Sequence, residues 1–393
     1  MTDLWLHLKK TEKPIVLYGM GNGADKVLDR LALLGIEAKG VFASDGFVRK
    51  KKLFRGFEVK TYGELKEQFP EMVVLVCFGS ALPEVLERIR FIASEQELYV
   101  PDVAVIGGGI FDKDYASAHR GELEEVYARL ADEKSKQVFE NLVKYKITGK
   151  PSYLFECETT PDEAYEKVLK LTDNEVYADL GAYNGDTVAE FLRHVGAYER
   201  IYAVEPDKKS FEKLKANTKD LQNVFCINKG ISDSPARLEF AMRAGRNSAL
   251  SEKTDAEKAK PHLNAQTQAQ TQTQNLNLGN LSANGLGNGS GNGAQAERGT
   301  KTVITEFDSL DGILGGNRVS FINFDVEGQE EKALEGARES IALHKPKMLV
   351  SCYHRFDDLL TLPRKVFSIR EDYSLFIRHY PYLPAWDTAY YFI

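Results

Sequence analysis

Four carboxylates and one histidine follow directly on short apolar runs, the positions where an α/β protein does its chemistry. "VYADLG" carries Asp179 and then a glycine turn. "YAVEPD" has Glu205 at its end, "FINFDVEG" closes on Asp325 and Glu327, and "VSCYHR" carries His354. In an open parallel sheet, ligands bind outside the carboxyl ends of the strands. A carboxylate beside the first glycine turn attracts a cationic ligand and repels a pyrophosphate. Glu205, after the next strand, can accept hydrogen bonds from both hydroxyls of a ribose. An imidazole or carboxylate beyond the later strands can take a proton from a hydroxyl nucleophile. Glu330 and its neighbours stand at a helix start, where the dipole and the unpaired amides favour acids. That account suffices for Glu330.

A cationic group on a nucleoside, with no phosphate, describes S-adenosylmethionine. The stretch "DLGAYNGDT" has the spacing D-x-G-x-x-x-G and offers Asp179, Gly181, Tyr183, Asn184, Gly185, Asp186 and Thr187 as its binding loop. "INKGISD" ends the third strand, and Gly230 and Ile231 could bound the adenine. A second glycine loop, "GMGNGA" from Gly19 to Ala24, matches G-x-G-x-x-A, with Asp45 near the end of the next strand as a ribose ligand. This is the form of a nucleotide or NAD site. A lone glycine fingerprint serves equally to pack a helix tightly on a sheet. The basic run "RKKKLFR", Arg49 to Arg55, reads as a solvated loop. His379, inside "FIRHY", reads as core.

Alternating elements must position these residues. Over residues 1–112, strand, glycine turn, helix and strand recur, with Val27, Leu31 and Leu34 at helical spacing and Gly35 as the cap. This predicts a small open α/β domain. Residues 113–150 predict a helical connector, with Leu123, Val126, Tyr127 and Leu130 on one face and Val138, Phe139, Leu142 and Val143 on another. From 151 to 393, alternation resumes and ends on "YSLFIRHY" and "DTAYYFI", an antiparallel hairpin. The fold class is therefore α/β with two Rossmann-like domains, the second a mostly parallel seven-stranded methyltransferase sheet. "EEKALEGARESIALH" predicts a helix in it and "RLEFAM" a strand. From Asn264 to Gly293 the chain is uncharged and rich in Gln, Thr, Asn and Gly. The insertion it belongs to, at about 252–300, is expected to be disordered and dispensable.

With 393 residues and 43% apolar side chains, the chain can bury two cores. A net charge of −7 gives no broad footprint for nucleic acid. The cysteines Cys77, Cys157, Cys226 and Cys352 are scattered through apolar runs, without a C-x-x-C pair, as thiols of a reducing compartment would be. "MTDLWLHLKKTEK" lacks an apolar leader, and no run is long enough to span a bilayer. The expected location is cytoplasmic.

From about Asn141 to the C-terminus the sequence resembles the FkbM family of S-adenosylmethionine-dependent methyltransferases. The matching motifs are "DLGAYNGDT", "YAVEPD", "NFDVEGQEEKALEGA", "SCYHRFDDLLTLP" and "RHYPYLPAWDTAYYF", in family order. The resemblance implies O-methyl transfer to hydroxyls of carbohydrates, polysaccharides or natural products, and a Rossmann-like N-terminal module. Asn323 stands where the family usually has Lys. For that chemistry, His354 or Asp325 is the expected base, with Glu327 orienting the acceptor. Asp325, Glu327 and His354 could also hold a divalent ion, although their spacing is no recognised metal signature. Two rival readings fit the same sequence: an NAD(P)-linked oxidoreductase using Gly19 to Ala24, and a cofactor-binding scaffold without turnover.

Overall fold

Short β-branched and aromatic runs punctuated by Gly, Pro and Asp become strands, and the amphipathic stretches between them become helices. The computed structural model describes residues 1–44, 53–242, 249–250 and 301–393. Asp45, residues 49–52 of the basic run and the insertion at about 252–300 lie outside the described residues. Residues 1–238 with 304–393 form one compact unit, and 239–303 form a second.

The first sheet comprises β1 (Ile15–Tyr18), β2 (Ala38–Phe42), β3 (Leu53–Phe54), β4 (Phe57–Lys60), β5 (Val73–Val76) and β6 (Glu97–Tyr99). Its order is β3-β4-β2-β1-β5-β6, parallel except for the antiparallel β3–β4 edge. All four residues of β1 and of β5 are buried, as strands covered on both faces must be. The helix Asn22–Leu33 stops where the sequence predicts, with Ile36 N–H returning to the Leu31 carbonyl around a left-handed Gly35.

The helices Arg120–Ala128 and Glu133–Thr148 follow. Asp132 caps the second by accepting from Ser135 N–H, and left-handed Gly149 ends it.

Strands β7 (Val176–Leu180), β8 (Arg200–Val204) and β9 (Val224–Ile227) open the second sheet. The short β10 (Gly230–Ile231) leaves it. In the second unit, β11 (Ala236–Met242) pairs antiparallel with β12 (Ala249–Leu250) through residues 240–241. In the first unit, β13 (Lys301–Asp308) pairs in parallel with β10. The chain then returns through β14 (Phe321–Phe324), β15 (Lys347–Ser351), β16 (Leu375–His379) and β17 (Thr388–Phe392). The seven-stranded order is β16-β17-β15-β14-β7-β8-β9, with only β17 antiparallel to its neighbours. The fold is thus α/β, with mostly parallel sheets and an antiparallel hairpin at the C-terminus, as the element pattern predicts.

Two details differ from expectation. "RLEFAM" lies outside the seven-stranded sheet. "EEKALEGARESIALH" forms two helices, Glu330–Glu335 and Arg338–His344. The break has a long-range cause: Asp311 accepts from Glu339 N–H and Ser340 N–H, capping a new helix, while its own N–H donates to the Gly336 carbonyl. The sheet is locked beneath the site by stacked rings, with Tyr177 4.8 Å from Phe321 and 4.6 Å from Phe191 between centroids.

Candidate active site

The turn after β7 is built for close approach. Gly181 sits at φ 92°, and a Cβ there would lie 2.0 Å from the Asp325 carbonyl oxygen, so only glycine lets the β7 and β14 loops cross. Tyr183 is left-handed at φ 45°, and left-handed Gly185 leads into the helix Asp186–His194. Asn184 Oδ1 accepts from Asp186 N–H, and Asp186 Oδ1 accepts from Thr187 N–H, fixing the helix start.

Glu205, at the end of β8, reaches this turn. Its Oε2 accepts from Tyr183 N–H at 2.9 Å and its Oε1 from Asp207 N–H at 2.7 Å. Each carboxylate oxygen keeps capacity for another donor. Burial raises the carboxyl to about 7 against the pull of those two amides. The structure therefore brings Glu205 and the loop Gly181–Thr187 together.

Asp179 lies deeper. It is fully buried, accepts from the Thr187 hydroxyl, and accepts from Asn323 Nδ2 at 3.0 Å. The register explains the second bond, because Asn323 and Asp179 are direct partners across β14 and β7. Burial raises this carboxyl to about 6, with Thr187, Asn323 and Tyr177 opposing. Gly230 and Ile231 are both buried in β10, with Gly230 against the Phe307 ring.

Beyond β14 and β15 the acidic cluster assembles around His354, which is 1% exposed. Its Nε2 lies 3.5 Å from Asp325 Oδ1 and 3.6 Å from Glu327 Oε2, and its Nδ1 lies 2.9 Å from Glu330 Oε1. Burial alone would depress the imidazole, but Glu330, Glu327 and Asp325 together raise it to about 10. The Asp325 and Glu327 side chains stay 28% and 24% exposed, while Glu330 is 1% exposed. Glu327 itself is left-handed, at φ 51°, a local strain of the kind that collects at functional sites.

Glu330 does more than the helix-start account allows. Its Oε1 accepts from Val326 N–H at 3.0 Å and Gly328 N–H at 3.3 Å, so it ties the Asp325–Gly328 loop to His354. Tyr353 O–H donates to Asp325 Oδ1 at 3.3 Å, and buried Asp358 receives Arg355 N–H at 2.7 Å. The sequence marks Tyr353 and Asp358 only by their closeness to His354 along the chain. The segment after β6 also reaches the site, with Ile106 N–H donating to the His354 carbonyl at 2.9 Å. Nothing in its sequence signals that contact.

In the first glycine loop, packing accounts for Gly19 and Gly23 but not for Gly21, where a Cβ would meet nothing within 4 Å. A Cβ on Gly23 would meet the Cys77 carbonyl oxygen at 2.3 Å, and one on Gly19 the Phe78 ring at 2.9 Å. His379 is core: fully buried, 2.9 Å from the Thr388 hydroxyl, and pushed down to about 3 by burial. Cys77, Cys157 and Cys352 are buried free thiols and Cys226 a half-buried one. No described helix is long and apolar enough to cross a membrane.

Comparison with known proteins agrees with this geometry. An FkbM methyltransferase structure from Methylobacillus flagellatus KT matches with a TM-score of 0.65 at 20% identity, covering 99% of this chain and 92% of that one. This likeness is one of fold. An rRNA methylase from Streptococcus thermophilus (TM-score 0.31, 11% identity, 62% of this chain and 95% of that one) and Aeropyrum pernix fibrillarin in complex with S-adenosyl-L-methionine (TM-score 0.29, 13% identity, 56% and 67%) are too distant to carry weight. No curated protein matches the sequence, and nothing in these likenesses supports NAD. Residues 179–374, which span the glycine turn, Glu205 and the His354 cluster, match the Methyltransferase FkbM domain, and the chain belongs to the FkbM methyltransferase family.

Proposed function

We propose that this methyltransferase uses S-adenosylmethionine to methylate a hydroxyl of a carbohydrate-like or natural-product acceptor. The observation that carries the reading is Glu205, held by two backbone amides at the end of β8 beside the Gly181–Gly185 turn. That placement suits a ribose diol donating to the carboxylate, and a carboxylate beside the turn favours an uncharged diol and a cationic sulfur over phosphate. The donor supplies an electrophilic methyl on positively charged sulfur.

The chain's own residues align and deprotonate the acceptor. Asp325, partly exposed and 3.5 Å from the imidazole, is the base in this reading. His354 is too buried, and too strongly held in its protonated form by three acids, to serve as one. It positions Asp325 and Glu327, and Glu327 orients the acceptor. The hydroxyl proton passes to Asp325, the oxygen's electron pair forms the new C–O bond, and the C–S bond breaks with its pair left on sulfur. Holding the two partners on one axis supplies much of the rate.

Calorimetry with S-adenosylhomocysteine in chelator-treated buffer tests the donor half. Binding is expected, and Glu205→Gln, with unchanged circular dichroism, is expected to weaken it about 10- to 100-fold, as loss of charge-assisted bonds of about 1.5–3 kcal/mol implies. No binding by the wild-type chain refutes the reading. Transfer of labelled methyl across a panel of hydroxylated acceptors tests the other half.

A further inference from the structure

We propose that Asp325, Glu327 and His354 hold a divalent cation that meets the acceptor oxygen, with Glu330 fixing the imidazole from behind. The role of the ion rests on the O-methyltransferase reading above; its binding does not. Three observations support it.

His354 Nε2 is completely buried and makes no hydrogen bond, although it points between two carboxylates. Its distances to them, 3.5 Å and 3.6 Å, are too long for good hydrogen bonds. Neighbouring donor atoms around an ion with bonds of about 2.1 Å are about 3 Å apart, so a modest closure of both side chains would seat one.

The opposite ring nitrogen, Nδ1, lies 2.9 Å from Glu330 Oε1. Glu330 is itself pinned by the amides of Val326 and Gly328. A carboxylate behind a ligating histidine fixes the ring's orientation and tautomer and raises its basicity.

Exposure is graded in the same direction. His354 and Glu330 are 1% exposed, whereas Asp325 and Glu327 open to solvent. An ion there would be walled on the protein side and accessible on the side from which an acceptor arrives. One imidazole with two carboxylates favours Mn²⁺ or Mg²⁺ over thiophilic ions. Such an ion displaces a proton from the imidazole on binding and eases loss of the acceptor's proton to Asp325. Among the described residues, two groups have ligand atoms all within 4.8 Å of one another, Asp325–Glu330–His354 and Asp162–Glu190–His194, and in the second His194 Nε2 already bonds Glu190 at 3.1 Å.

Mn²⁺ is the probe, added to the metal-free full-length chain and followed by electron paramagnetic resonance. One bound Mn²⁺ per chain is expected, with a nitrogen hyperfine coupling that His354→Gln removes. Asp325→Asn should weaken binding at least tenfold and Glu330→Gln about 10- to 100-fold, with circular dichroism and S-adenosylhomocysteine affinity unchanged. Absence of bound Mn²⁺ at millimolar concentration, bound Mn²⁺ without nitrogen coupling, or equal affinity in Asp325→Asn overturns the proposal. Donor binding is measured without metal, so failure of the methyltransferase reading and failure of the cation site show up in different experiments.

Discussion

At the scale of single residues, the two buried carboxyls of the crevice set a pH dependence. Glu205 is raised from its ordinary 4.5 to about 7, chiefly by burial. In the ligand-free protein its contribution to stability is complete below about pH 4.5 and is lost as pH rises through 7, because the folded state holds the proton more tightly. Ligand binding runs the other way, since a ribose diol donates best to the ionised form. Affinity for S-adenosylhomocysteine should rise between pH 6 and 8, approaching tenfold per unit below 7, and Glu205→Gln should flatten the curve. Calorimetry at several pH values checks this, and a flat wild-type curve contradicts the ribose assignment. Asp179 is raised to about 6 by the same cause, burial, against the opposing hydrogen bond from the Asn323 amide that faces it. The sequence pointed to Asp179, Glu205, Asp325, Glu327 and His354 because all stand at or just beyond strand ends. It could not reveal that Asp179 is turned inward, since that depends on which residue of β14 lies opposite.

Elements are tied together by buried charge. Arg378 in β16 is 1% exposed and is paired by Nη2 with Asp132 at 2.7 Å and by Nε with Glu163 at 2.8 Å. Ser135 Oγ accepts from Arg378 Nη1 at 2.8 Å and from Ile377 N–H at 3.1 Å. The helix Glu133–Thr148, read from sequence as a connector, is therefore fastened to the edge of the second sheet. Asp132 has two tasks, capping this helix and neutralising Arg378. Asp132→Ala should cost about 1 kcal/mol for the cap, plus up to roughly 3 kcal/mol for leaving a buried guanidinium with one partner fewer. Asp132→Asn, which keeps a capping side chain, should recover the first part only. Urea unfolding reads both, and an unchanged midpoint in Asp132→Ala would show that the pair contributes nothing. Helical spacing revealed the helix but not its partner, because Arg378 is 246 residues away.

Across the whole first unit, the first sheet and its helices are joined to the His354 cluster by the segment after β6. Lys26 Nζ donates to the carbonyls of Ala104 at 2.6 Å and Val105 at 2.7 Å, and the next residue, Ile106, bonds the His354 carbonyl and packs on Gly328. Buried Lys146 pairs with Asp102 at 2.8 Å on the same segment. Lys26→Met should loosen the segment and lower turnover by about tenfold, of the size expected when reacting groups are less well aligned. Affinity for S-adenosylhomocysteine should stay within about twofold, because Glu205 and the Gly181 turn lie elsewhere. Steady-state kinetics with labelled donor decides the matter: unchanged turnover would mean that the first sheet and its helices do not position the site.

The amino-acid sequence by itself determined the local pattern: alternating strands and helices, the terminal hairpin, the left-handed turn at Gly181 and Gly185, and acids at strand ends. These follow from side-chain periodicity and backbone sterics within a few residues. The tertiary structure alone decided what depends on neighbours distant in the chain. Packing put Asn323 against Asp179, cut one expected helix in two with Asp311, recruited Glu330 behind His354, and laid Ile106 over the site. Hydrogen bonds and burial between remote segments leave no periodic trace in the residues that make them.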